Sequence, residues 1–222
     1  MHPTLLPELP IPSYGAMLVL ATGAEWLLAR RRARGLGLAA WQIDWLIPLL
    51  ILGSAVGGRL AAATSGRWFA PGTNERVLFG AILLSVAVAV LYGLVLRIPL
   101  GRLADAFAAA LLMGIGILRV GCFLAGCCWG DVCADSESLA AVLAPEQLRQ
   151  IQTLPALCGE DVAVRIRFPA GSPAYDQHRQ LGLLHPEHPR SLPVHPVQLY
   201  EAFAAWAVLA VLLAIDRSFR RY

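Results

Sequence analysis

This chain has no lysine; all eighteen of its basic residues are arginine. Charge of either sign is scarce, at 15% of 222 residues against 57% hydrophobic ones, and the mean hydropathy is +0.60. A soluble domain carries about 25% charged and roughly 45–50% apolar residues, so the shortage argues against one and for an all-α integral membrane protein. An arginine-only basic set suits phosphate oxygens, which the guanidinium fork matches, although codon bias in a GC-rich genome is the simpler source. The segment before the first apolar run, Met1–Pro12, has no basic residue, and its positive charges follow the run instead. That order excludes a cleaved signal peptide. Among five cysteines no pair has C-x-x-C spacing, so the signal for a zinc or thioredoxin-type motif is weak. No metal, cofactor or nucleic-acid partner is expected, and no internal repeat is visible.

What the chain does have is long apolar runs. Crossing a bilayer takes about 20 mostly apolar residues, and five segments qualify: Ser13–Ala29, Ile43–Ala63, Val77–Leu96, Leu103–Ala125 and Val197–Ile215. Arg30, Arg31, Arg32 and Arg34 follow the first, Arg97 and Arg102 lie between the third and fourth, and Arg217, Arg220 and Arg221 follow the fifth. By the positive-inside rule these regions are cytoplasmic. The N-terminus and residues 126–194 are then expected outside, and the C-terminus inside. The organisation read from this is four spans within residues 1–130, a small extracytoplasmic cap over 131–194, and a fifth span with a cytoplasmic tail over 195–222. Within the cap, Ser136–Gln152 reads as an amphipathic helix, Val162–Phe168 as a short alternating strand and Pro173–Gly182 as a short helix.

Polar residues gather at the outer end of the spans. His195-Pro196-Val197-Gln198-Leu199-Tyr200-Glu201 opens the last one, with Pro196 suited to a first helical position. At ~1.5 Å of rise per residue, Arg119 lies about 9 Å below the outer end of its span. Glu201 is at similar depth, and Arg59, Tyr14 and His195 lie near the outer ends of theirs. Polar groups at membrane depth are costly. Two arginines, a carboxylate and several neutral hydrogen-bonders at headgroup depth suit an anionic lipid headgroup. The structural alternative is that Arg119 pairs with Glu201 and Arg59 snorkels to the surface. Gly114, Gly116 and Gly121 flank Arg119 and permit close approach of a helix or a ligand. Glu25 reads as a polar contact between helices and Asp105 as an interfacial or capping residue.

The cysteines are Cys122, Cys127, Cys128, Cys133 and Cys158, all expected at or beyond the outer face, where oxidation is permitted. A Cys133–Cys158 disulfide would staple the cap, and an odd count leaves at least one thiol over. A thiolate at Cys122 or Cys127 beside Arg119 is chemically reasonable, because a nearby cation lowers a thiol's pKa. Packing as small apolar residues is the alternative.

These pieces together resemble the prolipoprotein diacylglyceryl transferase family. The resemblance rests on Ile11-Pro12-Ser13-Tyr14-Gly15, on Leu52-Gly53-Ser54-Ala55-Val56-Gly57-Gly58-Arg59, on Arg119-Val120-Gly121 with Gly126 and Trp129-Gly130, and on His195–Glu201. It implies a bacterial inner-membrane enzyme that moves the diacylglyceryl group of phosphatidylglycerol onto the cysteine thiol of a prolipoprotein or other acceptor. On that reading Arg119, His195 and Glu201 are the catalytic candidates. Tyr14, Arg59, Gly130, Gln198 and Tyr200 would contact the headgroup, and Cys122 and Cys127 have a possible thiol role. Three departures stand out. The family's His-Gly-Gly at the third span aligns with Phe79-Gly80-Ala81, which leaves His195 as the substitute base. Its signature Asn and Glu fall at Cys122 and Cys127. Its two further C-terminal spans, one carrying another arginine, have no counterpart up to Tyr222. A paralogue using its own outer cysteines and a non-catalytic lipid-binding subunit remain open readings.

Overall fold

The computed structural model describes residues 4–6, 9–64, 74–130, 132, 164–184 and 188–219. The expected Ser136–Gln152 helix and the Cys133–Cys158 pairing fall outside them. Among the described residues a two-stranded antiparallel hairpin, β1 (Thr4–Leu6) and β2 (Leu9–Pro12), precedes six helices. These are α1 (Ser13–Gly35), α2 (Ala40–Thr64), α3 (Asn74–Val95), α4 (Leu100–Ala125), α5 (Pro173–Gln180) and α6 (Val197–Phe219). Four of them, α2, α3, α4 and α6, are long and apolar enough to cross a membrane. The expected first span is a helix of 23 residues, yet Glu25 and its arginine-rich end leave it less apolar than those four. Only 6% of the most apolar stretch of α3 is buried in the protein. An apolar helix with almost no protein cover has lipid as its natural solvent.

The chain divides into two compact units, residues 23–111 and residues 1–22 with 112–222, the division falling within α1 and α4. In the 23–111 unit the core gathers Ala29, Ala33, Ile43, Leu46, Leu103, Ala106 and Ala110. α2 and α3 lie against each other through glycine. A Cβ on Gly57 would strike the Gly80 carbonyl oxygen, and one on Gly80 would strike Ala61 and the Gly57 oxygen. Such stripes of small residues let membrane helices approach closely. Ser85 Oγ donates to the Leu50 carbonyl (3.2 Å) and Tyr92 Oη to that of Gln42 (2.8 Å). Between α1 and α2, Asp44 accepts from Trp26 Nε1 (2.7 Å) and pairs with Arg30 (3.3 Å). Arg30 also lies over the Trp26 ring. Asp105 serves this unit through its backbone, its carbonyl accepting from Arg32 Nε at 3.2 Å.

Three helices end alike. In the Schellman arrangement the residue after the helix is left-handed, and two reversed backbone bonds close the last carbonyls. Gly37 (φ 73°) closes α1 with Leu38 N–H to Ala33 and Gly37 N–H to Arg34. Arg97 (φ 54°) closes α3 with Ile98 N–H to Gly93 and Arg97 N–H to Leu94. Gly126 (φ 73°) closes α4 with Cys127 N–H to Cys122 and Gly126 N–H to Phe123.

In the other unit a small apolar core of Phe168, Ala174 and Val194 packs with Phe123, Trp129, Val132 and Ile166. Val194 bridges to both Val132 and Ile166. The expected Val162–Phe168 strand is therefore reduced, among the described residues, to isolated bridges. Val164 is exposed and Phe168 is the fully buried member, because pairing is confined to single bridges at Ile166 and Pro169. The helix expected over Pro173–Gly182 is α5. Ser172 caps it, accepting from Tyr175 N–H at 3.3 Å, with Pro173 at its start, a combination that satisfies one orphan donor and omits another.

Candidate functional site at the α4–α6 junction

The junction is built by the turn after α4. Beyond the Gly126 reversal, the Gly130 N–H donates to the His195 carbonyl (3.0 Å), and the Gly126 carbonyl accepts from Ala174 N–H (3.1 Å). Gly130 has no alternative residue at this spacing: a Cβ there would meet Val197 Cγ2 and His195 Cβ. Gln198, fully buried, donates from Nε2 to the Cys127 carbonyl at 2.6 Å. One turn on, Glu201 Oε2 stands 2.8 Å from Arg119 Nε. The two oppose at ion-pair distance without the alignment of a hydrogen bond, so Oε2 keeps unused accepting capacity. Their side chains are 42% and 35% exposed, and such pairs contribute little net stability, about 0–1 kcal/mol. The pair fixes where a cation stands.

Tyr14 opens α1 and is 41% exposed. Its ring and Met17 border Gly121, where a Cβ would come within 2.8 Å of Met17. Gly116 accommodates the Trp206 ring, which any side chain at 116 would strike. The glycines beside Arg119 thus serve helix approach. His195 is half-buried, its Nδ1 buried without a hydrogen-bond partner, and its ring meets Tyr200 edge-on at 6.2 Å. Tyr200 is 46% exposed. The structure therefore brings Arg119, Glu201, Gln198, Gly130, His195, Tyr200 and Tyr14 into one unit. Arg59 belongs to α2 in the other unit and is exposed. The two glycines before it pack on α3, Gly57 on Gly80 and Gly58 on Val77.

The sulfur atoms of Cys122, Cys127 and Cys128 lie within 4.8 Å of one another, and all three are free thiols. Cys128 was not among the expected site residues. A Schellman motif commonly brings the third-last helical residue against the second residue after the helix, here Cys122 and Cys127, which carries no signal for Cys128. Cys128 follows with φ 56°, a conformation non-glycine residues adopt rarely and at a cost of about 1–2 kcal/mol. S–H donation from Cys122 and Cys127, with Arg119 adding, pulls the Cys128 thiol well below its ordinary pKa. Donation among the same sulfurs and burial push Cys127 up.

A family model described as prolipoprotein diacylglyceryl transferase matches residues 3–222. Three curated relatives share the name phosphatidylglycerol–prolipoprotein diacylglyceryl transferase. The Rhodopirellula baltica protein is 28% identical over 158 residues, covering 65% of this chain and 32% of the relative. That of Methylococcus capsulatus is 27% identical over 213 residues, 90% of this chain and 64% of the relative. That of Salmonella paratyphi B is 26% identical over 212 residues, 90% and 65%. The chain thus spans between a third and just under two thirds of these relatives' length.

Proposed function

The chain belongs to the prolipoprotein diacylglyceryl transferase family, and on that premise we propose that it transfers a diacylglyceryl group from a phosphatidylglycerol-type lipid to a protein cysteine thiol at the outer face of the bacterial inner membrane. The observation that carries the proposal is the Arg119–Glu201 pair at 2.8 Å, set beside Gln198 at the start of α6. In the reaction the acceptor sulfur attacks the glycerol carbon esterified to phosphate. The carbon–oxygen bond breaks, and glycerol phosphate leaves with the electron pair. Charge grows on the phosphate oxygens in that step, so a fixed cation beside them lowers the barrier. Arg119 supplies it, with Glu201 holding the guanidinium in place. Tyr14, Tyr200, Gln198 and Gly130 shape the headgroup region. The thiol proton needs a base within hydrogen-bond reach. His195, with an unpartnered Nδ1, takes that role in place of the histidine that the third span lacks.

The test uses the purified protein in phosphatidylglycerol nanodiscs with a lipobox peptide, and mass spectrometry of the peptide. The expected result is a diacylglyceryl thioether that falls at least ~100-fold in Arg119→Ala, the scale of losing one charge-stabilising group. Product no greater than that of Arg119→Ala overturns the proposal. Phosphatidylglycerol bound stoichiometrically with no turnover would instead identify a lipid-binding subunit.

A further inference from the structure

We infer that Cys122, Cys127 and Cys128 form a binding site for a soft monovalent metal ion, Cu(I), at the outer end of α4. Their sulfurs already lie within 4.8 Å of one another. Metal–sulfur bonds of about 2.3 Å place three sulfurs around one ion at separations inside that span, so closure needs side-chain rotation and no change of fold. Two backbone features hold the cluster together. The Schellman turn at Gly126 returns Cys127 onto Cys122, with Cys127 N–H on the Cys122 carbonyl at 3.0 Å. The left-handed Cys128 (φ 56°) then adds the third sulfur. A strained non-glycine residue persists where its surroundings over-determine it, and such residues cluster at functional sites. The junction is tied down on both sides, by Gln198 Nε2 on the Cys127 carbonyl and by Gly130 on His195.

The donor set selects the metal. Thiolates favour Cu(I), zinc and iron–sulfur centres. Among the described residues the cluster offers three sulfurs and no fourth His, Cys, Asp or Glu ligand. Zinc completes a tetrahedron, with four protein ligands or with three and a water, whereas Cu(I) is satisfied by three sulfurs in a plane and needs nothing further. Binding forms three S–Cu bonds and releases to solvent the protons of those thiols that still carry one, with no change in oxidation state. The product carries net charge −2, and Arg119, whose field reaches Cys122 and Cys128, partly offsets it. The exposed Cys128 provides the entry route. The metal-binding test needs no transfer activity.

The experiment is an anaerobic titration of the full-length detergent-solubilised protein with Cu(I), against a bidentate Cu(I) chelator. The expected result is one Cu(I) per chain, a sulfur-to-copper charge-transfer band, and a three-sulfur shell by X-ray absorption. Cys122→Ser, Cys127→Ser and Cys128→Ser should each weaken binding at least ~10-fold, while a Cys133→Ser/Cys158→Ser double variant binds as the parent does. Because a serine variant can misfold, the unaltered protein supplies a second readout: Cu(I) should protect three thiols from maleimide. Failure to retain Cu(I), maleimide labelling unchanged by copper, or loss of binding in the Cys133/Cys158 variant overturns the site.

Discussion

Single residues carry the parts of this molecule that a hydropathy pattern does not reach. His178 is 3% exposed, faces Trp129 edge-on at 5.7 Å, and its Nδ1 has no hydrogen-bond partner. Burial holds its imidazole neutral, with the pKa down from 6.5 to about 4. The sign of the pH effect follows. Below pH 6.5 the unfolded chain takes up a proton that the folded one refuses until about pH 4, so stability falls as pH drops through that window. It is unchanged by this group above the window. The loss is about 3 kcal/mol at most, from 1.36 kcal/mol per pKa unit. Asp176 and Arg179 flank His178 on α5, and a surface carboxylate and guanidinium of this kind change the figure little. The hydrogen-exchange protection factors of the Ala174 and Tyr175 amides, corrected for the intrinsic exchange rate at each pH, should fall between pH 7 and pH 5, and His178→Phe should flatten that dependence. An unchanged profile in the variant would mean another group titrates. The residue scale is also where sequence reading reached least. Arg119 and Glu201 were legible as groups at one depth, with their pairing the structural alternative to a lipid-headgroup site. The third thiol was not, because a contact made by a helix-terminating turn has no spacing signature of the C-x-x-C kind.

At the scale of elements, the spans were legible because uniform apolarity over about 20 residues has few other meanings in a bilayer-sized chain. Their ends were less so. α1 runs to Gly35 and α3 starts at Asn74, since helix continues through polar flanks that hydropathy assigns to loop. Gly57 and Gly58 before Arg59 illustrate a related ambiguity. Sequence allows them to serve ligand or helix, and the structure uses them on α3, Gly57 against the Gly80 backbone. Overpacking a tight contact costs about 1–3 kcal/mol. Gly57→Leu should lower the midpoint of thermal unfolding in detergent by that order while leaving Arg119–Glu201 chemistry in the other unit intact. A variant as stable as the parent would mean the α2–α3 contact is looser than described. Arg97 offers the opposite case. It occupies the left-handed position that glycine fills after α1 and α4 (φ 54° against 73°). Arg97→Gly relieves that strain and should raise stability by about 1 kcal/mol, read in the same melts. A fall would show that the arginine head group contributes more than its backbone costs.

For the whole molecule, the consequential question is which face of the membrane holds the α4–α6 junction, since the proposed transfer and the oxidation of the thiols each depend on compartment. Charge supplies the argument. Four arginines lie at the end of α1, from Arg30 to Arg34, and Arg97 and Arg102 lie around the turn into α4. Short loops rich in arginine stay on the cytoplasmic side. On that rule α1 and α3 are expected to end inside, and α4, starting at Leu100, to end outside at Ala125. Cys127, Cys128, α5 and the start of α6 are then expected outside. Alkaline phosphatase, active only outside the cytoplasm, gives the reading. Fused after Gly182 it should be active, and fused after Gly37 it should be inactive, with a green fluorescent protein fusion at each point giving the converse. Reducing the charge with Arg31, Arg32 and Arg34 all changed to Gln should raise phosphatase activity at Gly37, because the bias that anchors this turn is then mostly removed. An active fusion after Gly37 in the unaltered protein would invert the molecule. Arg119 and the three thiols would then face the cytoplasm, where thiols stay reduced and no secreted lipoprotein precursor presents its cysteine, so the transfer proposal would fall with the topology while the metal site would not.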